Sequence, residues 1–497
     1  MDHPGATNVA WDAVVVGSGP NGLTAAAMLA RAGRRVLVVE AASTVGGGMR
    51  SAELFEPGVV HDLCSAVHPL GRVSPAFAEL GLADHGLRWL TPEVSLTHVF
   101  DARSSVALHR DGAAGAEELG IDAAAWRRLV AVDEKHLTTL ISQVLRPLGL
   151  PRHPWPMARF GARALRSVDR FTRAFDDHRT RTLFAGAAAH AMVEMSAAGS
   201  AGPGLLLLAP SSTTGWPIAR GGSQAIADAL VSCLREAGGE IETGRRITAF
   251  DELPPAHQYY FDTSVTSLLD VLGARLPSRV ARAYRRWRYG PGVCKIDFLL
   301  SEPIPWRSES ATRTATVHVA QDYRQIADAE TAVAHGEHPR RPWLLCGEPT
   351  RLDPLRAEGS AGGETTSAGG GRAHSTRHVA WAYCHVPNGS SRDMGEAMID
   401  ELERCAPGFR DVVVASRVQT AAQLGEHDAN FVGGDIGCGA TSLRQILGRP
   451  RFSPNPVRPN PYATGVPGVY LCSSATAPGG GVHGMSGYWA AKFGLAE

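Results

Sequence analysis

Asp12-Ala-Val-Val-Val16, Gly17-Ser-Gly19-Pro20-Asn21-Gly22, Leu23 to Ala32 closed by Gly33, and Arg35-Val-Leu-Val-Val39 ending on Glu40: this opening run decides the fold. The first segment is short and β-branched, as a buried parallel strand requires. The third is rich in alanine and leucine and stops at a glycine, the pattern of a helix with its C-terminal cap. The fourth is a second apolar strand, so the whole spells a βαβ unit built for a dinucleotide. Gly17 permits the tight turn, Gly19 lets a diphosphate approach the backbone, and Gly22 lets helix pack on strand. Pro20 and Asn21 belong to the same turn and count among the cofactor-binding candidates, and the N-terminus of the helix that follows faces the phosphates. Glu40, followed by Ala41, is placed to accept hydrogen bonds from ribose hydroxyls.

Three further segments extend this reading. Gly46-Gly47-Gly48-Met-Arg50 follows the second strand. In the middle, Trp216-Pro-Ile-Ala-Arg220-Gly-Gly-Ser223 precedes helical spacing over Gln224 to Gly238 and a strand-like Glu240 to Ile247. Near the other end, Gly468 to Cys472 reads as a strand, Ser473-Ser474 to Gly480-Gly481 as a glycine loop, and Val482-His483-Gly-Met485 as the start of a helix. In these motifs the chain resembles the phytoene-desaturase-like FAD/NAD(P)-binding oxidoreductases, a branch of the flavin amine oxidase superfamily.

The resemblance implies an α/β fold, with a discontinuous Rossmann-like FAD-binding domain and a second, α+β substrate domain. It implies FAD as cofactor, with Gly46, Gly47 and Arg50 beside the ribityl-diphosphate and a backbone contact to adenine near Ile247. Ser474, Gly480, Gly481, Val482, His483 and Met485 then belong to the flavin ring. The N–H groups of Val482 and His483 are expected to face the pyrimidine edge, where charge develops on reduction. Gly48-Met49 stands where many relatives have Gly-Arg, and after Ile247 little room is left for a β-meander. Gly479 to Gly484 repeats G-x-G-x-x-G by letter, but too little chain follows for a βαβ unit, so no separate pyridine-nucleotide domain is expected.

Composition narrows the classes. The 49 basic and 49 acidic residues cancel, so no net field draws nucleic acid or an anionic membrane, and nucleic acid is not an expected partner. The stretch before Arg31 lacks the basic region of a secretory signal, and no apolar run approaches the roughly 18 residues of a transmembrane helix. A cytoplasmic protein is expected, with peripheral contact to a membrane left open. The 8 cysteines are scattered, without a C-x-x-C or metal-type cluster. They read as reduced thiols, with no metal and no disulfide-reductase chemistry.

Residues 1–95, 215–275 and 431–497 are assigned to the FAD domain, and 96–214 with 276–430 to the substrate domain. In the latter, Leu205 to Leu208 and the helix-like Thr182 to Met195 read as core or as walls of a greasy pocket. Val379, Trp381, Tyr383 and His385 alternate on one strand face, and Trp381 and Tyr383, with His190, are the substrate candidates. Lys295 and Asp297 share a face that reads as solvated. Arg356 to Arg377, dominated by Gly, Ser, Ala and Thr, reads as a solvated loop. His68 and His483 are the acid–base candidates, because imidazole titrates near working pH.

In the resembling desaturases FAD takes the equivalent of a hydride from one C–H while a neighbouring C–H loses its proton, so no conspicuous triad is expected. The implied activity is dehydrogenation of a C–C bond in an apolar small molecule. Oxygen, a quinone or another electron acceptor would reoxidise the flavin. The alternatives are a flavin amine oxidase and a flavin-binding regulatory protein with little turnover.

Overall fold

The structure, a computed structural model, describes residues 10–360, 377–447 and 460–497. Its first sheet is wholly parallel, in the order Val469–Leu471, Ala256–Phe261, Trp11–Val16, Val36–Val39, Glu240–Glu242. A sheet whose faces both carry helices must be apolar on both, and Val14, Val15, Val36 and Val38 are fully buried. Helix Pro20–Arg31 packs on one face together with Gln224–Glu236 and the last helix, Met485–Gly494. Val265–Leu272 and Ser278–Arg285 supply apolar side chains to the other face. First and last helices approach so closely that a Cβ on Gly487 would lie 1.8 Å from Asn21 O. This contact locks the end of the chain onto its beginning.

The second sheet has seven strands, ordered Val413–Gln419, Gly292–Leu300, His378–Val386, Leu344–Gly347, Thr316–Val319, Val94–Asp101, Ser104–His109. All pairs are antiparallel except Thr316–Val319 with Val94–Asp101. Ile296, Phe298, Ala380 and Ala382 pack with Met398, Leu402 and Phe409 in one apolar cluster. Register places the alternate residues together: Lys295 beside Tyr383, Tyr383 beside Leu345, Leu345 beside His318, and His318 beside His98. Helix His178–Ala189 reaches this row at Gly186, where a Cβ would lie 2.7 Å from His318 Nδ1.

Several expectations need correction. The last helix begins at Met485 and not near Val482, because Gly484 turns left-handed at φ +67°. The strand expected to run to Ile247 ends at Glu242. The chain then goes on to strand Ala256–Phe261, next to Trp11–Val16, without a meander, in keeping with the little room expected for one. Arg356 is not in a solvated loop: it is fully buried, with its guanidinium 2.6 Å from Asp62 Oδ2 and 3.3 Å from Asp353 Oδ2. Arg377 pairs with Glu56 at 3.0 Å, and residues 361–376 of that stretch lie outside the described residues. Lys295 and Asp297 are not solvated either. They are 3% and 1% exposed and form an ion pair, with Lys295 Nζ also donating to Asp62 O at 3.1 Å.

Candidate functional site

The fingerprint turn is built so tightly that side chains are excluded. A Cβ on Gly17, at φ +97°, would lie 2.6 Å from Asp262 O, and one on Gly22 would lie 2.2 Å from Gly17 O. Asp262 follows strand Ala256–Phe261, and its Oδ2 accepts the Gly22 N–H at 2.7 Å, at the start of the first helix. Burial, reinforced by Asp428 and Glu40, pushes its carboxyl up to about 7, against the pull of the Gly22 and Asn21 N–H groups. Glu40 is held at the end of its strand, accepting from Ser18 N at 2.9 Å, Ser18 Oγ at 2.5 Å and Ala42 N at 2.8 Å. Pro20 O accepts from Thr24 Oγ1 at 2.6 Å. Asn21 Oδ1 accepts from Ser486 N at 3.2 Å, so this side chain ties the first helix to the last. Ala41 is exposed. Just beyond it an open cleft of about 430 Å³ is lined by Ser43, Thr44, Val45, Ser51, Gln224 and Thr243. Ile247 does not line that cleft; it packs on the apolar cluster that includes Val14, Val16 and Leu253.

Gly46 and Gly47 take positive φ, +123° and +53°, and fold back on the fingerprint, where a Cβ on Gly47 would lie 3.1 Å from Gly19 Cα. Arg50 braces this segment: Nε donates to Gly47 O at 3.0 Å, and the guanidinium lies 3.8 Å from Asp428. In the closing loop Gly480 and Gly481 are exposed, Ser474 and Val482 half-buried, and Met485 buried. The His483 N–H does not face outward as expected, because it donates to Gly481 O at 3.1 Å. The His483 ring is committed as well, with Nδ1 accepting Met485 N at 3.1 Å. Burial lowers that ring to about 4, and His68 likewise. Burial thus favours the neutral form of both imidazoles at pH 7, the state that can accept a proton.

His68 keeps one atom in reserve. Its Nε2 lies 2.8 Å from Ser223 Oγ, which itself donates to Ser65 O at 2.6 Å. Nε2 is thus the donor, and Nδ1 is a buried acceptor without a partner. His68 and the closing loop meet at Gly71, where a Cβ would lie 3.3 Å from His68 Cβ and 2.8 Å from Val482 O.

Opposite the nucleotide turns, Trp381 and Tyr383 stack at 6.2 Å with rings 10° from parallel, and Trp381 is 4% exposed. The rings continue through His385, Trp343 and His318 to His190, whose Nε2 lies 3.2 Å from His318 Nε2. Met192, Val293 and Leu424, with Cys64 and Tyr383 against them, connect this face to the Gly-Gly segment, and Cys64 lies beside Gly48. Polar atoms are interleaved with the rings. Asp297 Oδ2, Thr316 Oγ1, His318 Nδ1, Trp343 Nε1, Trp381 Nε1 and His385 Nε2 are buried without a hydrogen-bond partner. Unpaired buried polar atoms are uncommon, and so many on one sheet face mark a surface that meets a polar group or water. Burial holds His190 at about 3 and His318 well below its ordinary value.

Among known proteins, the family of NAD(P)-binding Rossmann-like domains matches residues 15–80. Pyridine nucleotide-disulfide oxidoreductase domain-containing protein 2 of Rattus norvegicus is 25% identical, over 96% of this chain and 92% of that protein. A limonene dehydrogenase polypeptide of Castellaniella defragrans is 37% identical, but over only 20% of this chain and 18% of its own length. An oxidoreductase from Methanosarcina mazei superposes with TM-score 0.63 at 15% identity, covering 98% of this chain and all of the other. The chain has an oxidoreductase fold. Cyclohexylamine oxidase from Brevibacterium oxydans shares it, with TM-score 0.56 at 13% identity over 98% of both chains. Among the described residues no helix is long and apolar enough to cross a membrane, and no group of His, Cys, Asp or Glu is arranged to hold a metal.

Sequence reasoning passed over Asp262, the Asp62–Arg356 pair, and the row His98, His318, Trp343. Asp262 follows a strand directly, as Gly17 and Glu40 do, and that shared position was its signal. His98 and His318 carried none, because their pairing depends on strand register.

Proposed function

We propose that this protein is an FAD-dependent oxidoreductase that dehydrogenates a largely apolar small molecule at carbon. Residues 1–95, 215–275 and 431–497 form the FAD domain in this reading, with 96–214 and 276–430 roofing the substrate. The residues present fit FAD. The Cβ-free turn at Gly17 to Gly22 offers a helix N-terminus to the diphosphate, and Glu40 stands where a ribose would lie. Gly484 and Ser486, just after the closing loop, return to the first turns of the same helix at Thr24 and Asn21. Only one βαβ fingerprint is available, and a dinucleotide that leaves through that second loop is longer than a nicotinamide nucleotide confined to the first unit. Bound FAD supplies two-electron oxidation by accepting a hydride equivalent.

The protein's share is orientation and exclusion of water. Trp381 and Tyr383 press an apolar body towards the Gly46 to Gly48 side, and the buried rings around Trp343 keep solvent out. His68 Nδ1, a bare acceptor beside the closing loop, is the atom placed to take a proton. The observation that carries the reading is the stack of buried Trp381 on half-buried Tyr383, joined through Cys64 to the Gly-Gly segment.

The same parallel pair favours a second reading, an amine oxidase, in which two rings flank a nitrogen. The test is uptake of FAD, its release on acid precipitation, and anaerobic bleaching of the loaded protein by terpenoids, lipids and amines. Bleaching by hydrocarbons and not amines supports dehydrogenation at carbon, and bleaching by amines alone replaces it with the second reading. Failure to take up FAD overturns both.

A further inference from the structure

Among the described residues, helix Pro154–Ala164 differs from every other long helix in contributing no buried residue. Its inner side carries Met157, Phe160 and Ala164, which lie partly buried against the two main apolar clusters. At 100° per residue the opposite side presents Trp155, Arg159, Ala162 and Arg163 together. Trp155 is 81% exposed, and the loop before the helix adds Leu150 at 93% and Leu148 at 48%, with Leu165 at 54% after it. Single exposed apolar side chains are ordinary, but four within one short segment form a patch.

Charge decides what the patch meets. From 146 to 166 the chain has Arg146, Arg152, Arg159, Arg163 and Arg166 and no acidic residue, although the protein as a whole is neutral. The positive groups are close enough to act on one another: Arg163 is shifted down by burial first, and then by Arg159, Arg166 and Arg128. Among the described residues no carboxylate forms an ion pair with Arg152, Arg159 or Arg166. Mutual repulsion of this kind is relieved by an anionic surface, and exposed Trp and Leu side chains gain by entering the boundary between headgroup and acyl chain. A helix with cations and a tryptophan outward and its apolar stripe already against the core suits an interface and not a groove.

We propose that residues 148–166 dock this protein on a bilayer containing anionic lipid, with Trp155, Leu148 and Leu150 inserted and Arg152, Arg159 and Arg166 on the headgroups. This rests on exposure and charge alone and stands whatever the substrate proves to be. It also differs from attraction by net charge, which is zero. The mode is peripheral, and salt should weaken it.

Co-sedimentation of the full chain with phosphatidylcholine vesicles, with and without phosphatidylglycerol, tests it. Binding should appear with phosphatidylglycerol, fall at least about tenfold in Arg152→Glu/Arg159→Glu, and fall similarly in Trp155→Ser, with cofactor uptake unchanged in both. No binding to the anionic vesicles overturns the proposal, as does binding that both variants retain. Light scattering without lipid provides the remaining arm: a dimer that Trp155→Ser dissociates would assign the patch to a second copy of the chain and overturn the lipid assignment.

Discussion

Asp262→Asn isolates the least comfortable charge in the nucleotide turn. The Asp262 carboxyl is 7% exposed, has Glu40 and Asp428 as neighbours, and is pushed from 3.8 up to about 7, with burial the larger cause. Cys438 and Cys472 also face it, both thiols held neutral by burial. Because the folded value lies above the unfolded one, the folded protein holds a proton that the unfolded chain has released. The associated stability is fully present below about pH 4 and is lost as pH rises to about 7, after which the loss is complete. About three units at about 1.4 kcal/mol each make the full loss about 4 kcal/mol, of which about 2 falls between pH 5 and 7. Asparagine keeps the acceptor for the Gly22 N–H and removes the ionisation. Urea unfolding of wild type and Asp262→Asn from pH 5 to 8.5 should therefore diverge as pH rises, the variant becoming the more stable. A bound diphosphate adds negative charge at the same helix end, so FAD affinity in the wild type should also weaken above neutrality, and less so in the variant. Parallel stability curves across this range would refute the reasoning.

Two other expectations concern the substrate face and the source of electrons. Trp381→Leu and Tyr383→Leu, which remove the stacked rings but leave a smaller cavity than alanine would, should raise KM or lower kcat about tenfold while FAD stays bound, as steady-state kinetics with a bleaching substrate would reveal. NADH and NADPH should be poor direct reductants, since Gly479 to Gly484 opens the helix Met485–Gly494 from a left-handed glycine and is no second βαβ turn; stopped-flow reduction by either nucleotide at sub-millimolar concentration would show otherwise.

The nucleotide half was legible because its evidence is local. A strand, a glycine turn, a helix and a terminal acid follow one another in sequence; Trp11–Val16 and Val36–Val39 stand within a residue of where periodicity placed them, and helix Pro20–Arg31 starts three residues earlier than expected. The strand carrying Trp381 and Tyr383 was legible for the same reason, as period-two alternation. What failed depended on distant partners. Arg356 looks like the start of a polar stretch until Asp62, far earlier in the chain, is folded against it. Lys295 and Asp297 alternate like surface charges, and only the neighbouring strands and Asp62 bury them. The role of the His483 ring in accepting the Met485 N–H is local, but it depends on the left-handed turn at Gly484 and has no periodicity to announce it.

The interior face bears on the substrate more closely than either half of the sequence did. A pure hydrocarbon pressed against Trp381 and Tyr383 would gain roughly 25 cal/mol per Å² of apolar surface buried. It would also leave Asp297 Oδ2, Thr316 Oγ1 and Trp343 Nε1 unanswered, at about 1–3 kcal/mol for each polar atom kept dry. Leaving such atoms unpaired would offset the burial of about 40–120 Å² apiece. These atoms include donors and acceptors. They therefore suit a neutral hydrogen-bonding group better than a full charge. If the proposed dehydrogenation is right, an apolar body carrying one such oxygen or nitrogen function would satisfy both the stacked rings and the unpaired atoms better than a bare hydrocarbon or a small charged amine.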